Sequence, residues 1–115
     1  MLNQVVLAGR LVSDPEIYTT ENNKKKTLVT VAVPRSYKNL DGNYDTDFIR
    51  CTLWGGIAEN TCEYCKKGDI VGVKGRIQTS SYETEDGNKK YAMEVVAEKI
   101  SFLSSKKVGE ENGTN

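Results

Sequence analysis

One helical segment interrupts a chain otherwise made of β-type runs, and its position constrains the fold more than any other feature. Residues 57–67 show the one convincing helical pattern, in which small side chains recur at i, i+4 and i+7: Ala58, Cys62 and Cys65. Lys66 and Lys67 would complement the dipole at the end of this helix, and Gly68 suits the position that follows.

Five runs of strand-forming residues surround the predicted helix. Three precede it (residues 5–12, 27–33 and about 46–54) and two follow it (residues 69–79 and about 90–103). The second run alternates, with Val29, Val31 and Val33 on one face.

Turn-forming and polar residues separate these runs. Pro34 is expected to end the second strand, and the polar segments 18–26 and 35–45 are expected to be loops. Asp86 and Gly87 indicate a tight turn within a long final hairpin. Three strands, one helix and two further strands predict an all-β fold, a five-stranded oligonucleotide-binding (OB) barrel with the helix between strands 3 and 4. Residues 1–104 would form this domain, and the polar residues 105–115 a flexible C-terminal end.

Composition narrows the function classes. Lys plus Arg and Asp plus Glu are 16 each, so any site for a polyanion must be a local patch. No run approaches the ~20 apolar residues of a membrane span, and a signal-peptide pattern is absent, so a cytoplasmic location is expected.

The sequence shows few residues that could form a catalytic or metal site. The chain has no His, and no nucleophile–base pair is evident, so an enzyme is not expected. Cys62 and Cys65 have C-x-x-C spacing, but a zinc site would need carboxylates or a second subunit. Because both would face inward on the helix, they are interpreted as small core residues, and no cofactor or metal is predicted.

The third strand carries the strongest functional signal. Alternation gives one apolar face (Ile49, Cys51 and Leu53) and a second face with two aromatic rings and a cation (Phe48, Arg50, Thr52 and Trp54). If the apolar face lines the barrel, the other points outward, where bases can stack on rings and phosphates can pair with Arg50. The alternative is a reversed register, with Phe48 and Trp54 in the core.

The fourth strand repeats this design more weakly. Lys74 and Arg76 would face away from the core, either as phosphate contacts or only as a solvated surface. Tyr37 and Tyr82 could extend the aromatic surface on either side.

Several short stretches resemble the bacterial-type single-stranded DNA-binding proteins, in the same order and at similar spacing over residues 1 to about 104. They are residues 1–11, 14–16, 47–54, 58–60, 66–68, 75–79 and 94–98. The resemblance implies an OB barrel that assembles as a homotetramer, with single-stranded DNA wrapped over its surface. It places stacking sites at Tyr37, Phe48, Trp54 and Tyr82, and basic sites at Arg50, Lys66 and Lys67. The remaining predicted phosphate contacts are Arg10, Arg35, Lys38, Lys74 and Arg76.

The chain departs from this family pattern in two respects. Relatives often carry basic residues where this chain has Gly56, Ser80 and Ser81. Fewer phosphate contacts predict weaker and less salt-sensitive binding. Relatives also usually continue to an acidic tip that recruits replication and repair proteins, whereas this sequence stops at Asn115, as a truncated or a naturally short version would.

The expected function is sequence-tolerant binding of single-stranded DNA, which protects it during replication, repair and recombination. Two alternatives stay open. The aromatic face could dock a replication protein, or the same stacking chemistry could bind single-stranded RNA.

Overall fold

The computed structural model describes residues 1–104, and their backbone forms six strands and one helix. The elements are β1 (Val5–Leu11), β2 (Tyr18–Thr19), β3 (Lys25–Lys38), β4 (Tyr44–Trp54), α1 (Gly55–Tyr64), β5 (Ile70–Glu83) and β6 (Lys89–Ser104).

The five long strands close into a barrel. Their order is β1-β5-β6-β4-β3, and pairing of Arg10 and Leu11 with Ala32 and Val31 joins β3 back to β1. Neighbours are antiparallel except β4 and β6, which run parallel at Cys51–Val95 and Thr52–Val96. The predicted all-β OB fold is therefore confirmed. The helix follows the third long strand, which is β4 when the two-residue β2 is counted.

Inward side chains of the long strands form one hydrophobic core. The strands contribute Leu11, Val29, Val31, Cys51, Leu53, Val71, Val73, Val95 and Ala97. α1 packs against β3, β4 and β6 and adds Ala58, and Cys65 just beyond it is also buried in this cluster. Burial of each large apolar side chain stabilises the fold by about 1.5–3 kcal/mol. No helix within residues 1–104 is both long and apolar enough to cross a membrane.

Two strands approach so closely at Gly75 that a side chain has no room. A Cβ atom there would overlap the carbonyl oxygen of Val96 on β6. The register of β5 against β6 also shifts between Lys74 and Gly75. Glycine at this position therefore allows the sheet to bend while the barrel closes.

The strands extend further than the sequence predicted. Pro34 does not end the second strand: β3 continues to Lys38, with a register irregularity between the two residues that accommodates the missing N–H. Much of 35–45 is therefore a projecting hairpin, whose turn is closed by Asn39 and Asn43. The segment 18–26 is likewise not a loop throughout, since Tyr18–Thr19 pairs with β3.

The helix is shorter and earlier than predicted. It ends at Tyr64, so Lys66 and Lys67 lie beyond its last turn, and Gly68 is not its capping residue. Gly68 instead adopts a φ of 92° and donates its N–H to the Leu11 carbonyl. The predicted inward face is also partly wrong, because Thr61 is buried and Cys62 is partly exposed.

Candidate nucleic-acid interface

The face of β4 that points away from the core presents two aromatic rings. Cys51 and Leu53 are fully buried, whereas Phe48 is 66% and Trp54 39% exposed. Arg50 is exposed between them. The structure therefore has the predicted strand orientation and not the reversed one.

Thr52 differs from the other members of this outward set. It was predicted to be exposed, but its exposed fraction is 2%. β6 runs beside β4 at this point, and the Thr52 hydroxyl donates a hydrogen bond to the Glu94 carboxylate. A carboxylate therefore lies in the middle of the outward face, close to Phe48 and Arg50 in the same surface depression.

The outward face continues onto β3, whose contribution was not predicted from the sequence. Across the antiparallel ladder, Trp54 pairs with Lys26, and Arg50 pairs with Thr30. The Lys26 ammonium nitrogen lies 5.1 Å from the centroid of the Trp54 ring, a cation–π distance. Extending the alternation of β3 back from Thr30 would have identified Lys26, had the segment before residue 27 been recognised as strand.

The projecting β3–β4 hairpin places Tyr37 and Phe48, both predicted stacking sites, on opposite sides of the ribbon. Tyr44 shares the outward face of Phe48, and Lys38 lies over its ring with its nitrogen 5.9 Å from the centroid. Tyr37 is exposed on the opposite side of the ribbon, close enough to Arg35 to contribute to its raised pKa. Tyr44 therefore lies on the same outward face as Phe48, whereas the predicted Tyr37 does not.

Arg35 is engaged with two carboxylates. Its Nη2 lies 2.9 Å from Oδ1 of Asp47, and its Nη1 lies 3.8 Å from Oδ2 of Asp45. The hydrogen bond that Arg35 donates to Asp47 raises the pKa of Arg35 above its ordinary value, and the same bond lowers the pKa of Asp47. In this arrangement the guanidinium is not free for a phosphate.

Arg76 and Tyr82 belong to the outward face of the β5–β6 hairpin. Arg76 pairs with Val96, the residue that also pairs with Thr52, so β6 connects this face to that of β4. The Arg76 Nη1 donates to Gln78 at 2.8 Å, and its Nε is 4.0 Å from a Glu98 oxygen. Tyr82 is exposed near the far end of the same hairpin.

The other predicted basic residues lie around the edges of this surface. Arg10 pairs with Ala32 on β3, and Ala32 pairs in turn with Phe48 on β4. The Arg10 Nη1, however, donates a hydrogen bond to the Gly68 carbonyl at 2.8 Å. Lys74 lies between Val6 of β1 and Lys99 of β6.

Lys66 and Lys67 follow the end of α1 that is remote from Trp54, about 15 Å along the helix. Their backbone N–H groups donate to Asp69 and Asp14. Phe48, Arg50 and Trp54 thus lie together on one face of β4, whereas these two lysines are distant from Trp54.

Two of the three cysteines, Cys51 and Cys65, are buried, and Cys62 is partly exposed. Among residues 1–104, no group of three or more His, Cys, Asp or Glu side chains is placed to hold a metal ion. Burial raises the pKa of the Cys51 thiol to about 11, and it also raises the pKa of the Cys65 thiol. Both groups are therefore neutral at pH 7.

Known proteins with similar sequences share one description. Residues 2–103 match the model of the "Single-strand binding protein family". The chain is 49% identical over 106 residues to "Single-stranded DNA-binding protein B" of Bacillus subtilis, covering 92% of this chain and 94% of that protein. It is 44% identical over 115 residues to "Single-stranded DNA-binding protein 3" of Listeria innocua, covering 100% of this chain and 72% of that protein.

A third relative is the "Single-stranded DNA-binding protein" of Oceanobacillus iheyensis, 47% identical over 106 residues, with 92% of this chain and 66% of that protein covered. Membership in a family of binding proteins agrees with the prediction that the chain is not an enzyme. On these matches, the chain belongs to the single-strand binding protein family.

Proposed function

We propose that this chain binds single-stranded DNA with little sequence preference, through base stacking on the outward face of β4. The observation that carries the proposal is the arrangement of Phe48, Arg50 and Trp54, in which two exposed rings flank a guanidinium on one strand. Every base offers a π-face, so stacking tolerates any sequence, and it contributes about 1–3 kcal/mol per base. The names of the relatives support the choice of single-stranded DNA as the ligand.

The bound strand would follow the outward surface beyond β4. In one direction it reaches Tyr44 and Lys38 on the β3–β4 hairpin, with Tyr37 on the other side of that ribbon. In the other direction it crosses β6 towards Arg76 and Tyr82. Peripheral phosphate contacts would come from Arg10, Lys66, Lys67 and Lys74, and from Arg35 when a phosphate displaces Asp47 from its guanidinium.

Such binding would hold DNA unpaired and protected during replication, repair and recombination, in the cytoplasm and in association with the nucleoid. We also propose a homotetramer, since family resemblance implies one. Light scattering of the protein with and without an oligonucleotide measures the assembly: a mass of four chains supports it, and a mass of one or two chains contradicts it. The flexible C-terminal end predicted for residues 105–115 lies outside residues 1–104, which are the part that the structure describes. The same holds for the expected absence of an acidic tip and for the replication and repair partners that such a tip would recruit.

The test of the proposed function compares two exposed aromatic residues on different faces. Phe48→Ala removes a ring from the outward face, whereas Tyr64→Ala removes one from α1, where Tyr64 is 67% exposed. Anisotropy of a labelled oligo-dT should show weaker binding for Phe48→Ala, by about 1–3 kcal/mol, and no change for Tyr64→Ala.

Competition with unlabelled ligands identifies the preferred nucleic acid. Mixed-sequence single-stranded DNA should compete as well as oligo-dT, and duplex DNA should compete poorly. Stronger competition by a matched RNA would reassign the ligand to RNA. Absence of oligo-dT binding by the parent protein at low salt would overturn the proposal and favour a protein-docking role for the face.

A further inference from the structure

We propose that Lys24, Lys26 and the Trp54 ring form one nucleotide subsite, in which the two ammonium groups hold the phosphates beside the base on Trp54. This inference rests on the proposed function and adds the residues that supply charge at this end of the binding face.

Lys26 is positioned by strand pairing. It lies directly opposite Trp54 in the β3–β4 ladder, and its ammonium nitrogen is 5.1 Å from the ring centroid. The ring thus has a cation at its surface before any ligand arrives. Because the lysine side chain is long and flexible, the ammonium can move from the ring to a phosphate while a base takes its place on the ring.

Lys24 reaches the same site from the β2–β3 turn. This turn is fixed by hydrogen bonds: the Thr20 N–H donates to the Lys24 carbonyl at 2.9 Å, and the Asn23 N–H donates to the Thr20 carbonyl at 2.8 Å. The Lys24 N–H also donates to the Thr20 hydroxyl at 3.2 Å. Lys24 is therefore carried by a closed turn and not by a free loop.

A surface cleft joins this turn to the aromatic ring. It is lined by Thr20, Asn22, Lys24 and Trp54. An aromatic face, an ammonium group, an amide and a hydroxyl are suited to a nucleotide, which presents a base to stack and a phosphate to pair. A protein side chain could use the ring but would not require two cations.

Lys25 points elsewhere and provides an internal comparison. Its ammonium nitrogen lies 3.4 Å from the Thr19 hydroxyl, and it lines a separate groove with Glu59 and Glu63 on α1. The three consecutive lysines thus have the same charge in solution but different surroundings. Lys24 and Lys26 flank Trp54, whereas Lys25 lies beside carboxylates.

No other cationic side chain is available immediately after Trp54. Gly55 and Gly56 follow it, and a Cβ atom added at either position would meet nothing within 4 Å. The two positions that follow the ring therefore carry no side chain that could contact a phosphate. Within residues 1–104, the β2–β3 turn brings Lys24 to the ring, and the start of β3 brings Lys26.

The test measures how oligo-dT affinity depends on salt for four variants: Lys24→Gln, Lys26→Gln, the double variant and Lys25→Gln. Each lost phosphate contact lowers the slope of log K against log salt by about 0.7 for single strands, so the double variant should lose about 1.4. Lys25→Gln removes the same charge and should leave the slope unchanged. Lys26→Arg keeps a cation over Trp54 and should retain the parent slope.

The outcomes separate this inference from the proposed function. Failure of the parent protein to bind oligo-dT overturns both. Normal binding with an unchanged slope in the double variant overturns the subsite alone. An equal loss of slope in Lys25→Gln also overturns it, because the effect would then be general charge.

Should the double variant unfold, Lys24→Gln decides the matter. The hydrogen bonds that close the turn involve only the backbone of Lys24, so this variant retains them. A slope reduced by about 0.7 supports the subsite, and an unchanged slope overturns it.

Discussion

Arg35 and Asp47 form a forked ion pair across the β3–β4 ribbon. Nη2 of Arg35 lies 2.9 Å from Oδ1 of Asp47, and Nε lies 3.2 Å from Oδ2. The pair faces away from the side that carries Phe48, and both side chains are partly exposed to solvent. Because the Asp47 carboxylate holds the Arg35 guanidinium, this cation is not available to a DNA phosphate while the pair is formed.

The first prediction is that Asp47→Asn strengthens single-stranded DNA binding. The change removes the closer of the two carboxylates at Arg35 and leaves only Asp45, 3.8 Å away, so the salt slope should increase by up to about 0.7, and affinity at moderate salt should rise. Asp41→Asn removes the same charge from the turn of this hairpin without contacting Arg35, and is the matched control. Equal effects of the two changes would show that only net charge matters.

The Arg35–Asp47 pair also gives a direction for pH dependence. The hydrogen bond from Arg35 lowers the pKa of Asp47 below 3.8. Stability contributed by this pair is therefore present above the ordinary Asp pKa and lost as pH falls through the lowered value. Because the pair is solvent-screened, the effect should be small beside that of the core.

A second prediction concerns the close approach of β5 and β6. Gly75→Ala places a Cβ against the Val96 carbonyl, and overpacking of this kind costs about 1–3 kcal/mol. Gly56→Ala adds the same methyl group in open space within α1, where Ala is the better helix former, and should not lower the free energy of unfolding. Denaturant titration of both variants is the measurement. Equal stability of Gly75→Ala and the parent would contradict the tight strand contact.

The third prediction concerns Cys51, whose buried thiol has a pKa raised from 9.0 to about 11. The folded state therefore binds this proton more tightly than the unfolded state does. Its contribution to stability is complete below pH 9 and is lost as pH rises through about 11.

Thiol labelling and unfolding measurements check this prediction. At pH 8, DTNB should label the partly exposed Cys62 quickly and Cys51 only on unfolding. Between pH 8 and pH 10.5 the parent should lose more unfolding free energy than Cys51→Ala does. Fast labelling of all three cysteines in the native protein would contradict the burial of Cys51 in the core.

Most of the barrel could be predicted because each strand alternates between core and solvent. Ile49, Cys51 and Leu53 share one face of β4, which predicted Phe48, Arg50 and Trp54 on the other, with the reversed register as the alternative that alternation alone left open. The strand ends were harder to predict. Pro34 lies in β3 because a register irregularity next to it accommodates the missing donor, and such an irregularity leaves no mark on local sequence.

Parts of the candidate site depend on contacts between distant segments. Thr52 is buried because β6 passes beside it and supplies Glu94, 42 residues later in the chain. Lys26 reaches Trp54 only through pairing of β3 with β4. Arg35 was predicted from the sequence to contact phosphate, and in the fold its guanidinium forms an ion pair with Asp47. Local periodicity cannot reveal such partners.

The most direct test of the central claim uses Trp54, the only tryptophan in the chain, as its own reporter. Oligo-dT should quench its fluorescence saturably at low salt, because a base stacks on the exposed ring. Phe48→Ala, which keeps Trp54, should require more oligonucleotide for the same quenching, and Tyr64→Ala should behave like the parent. Fluorescence that stays constant at saturating oligo-dT and low salt would contradict the account.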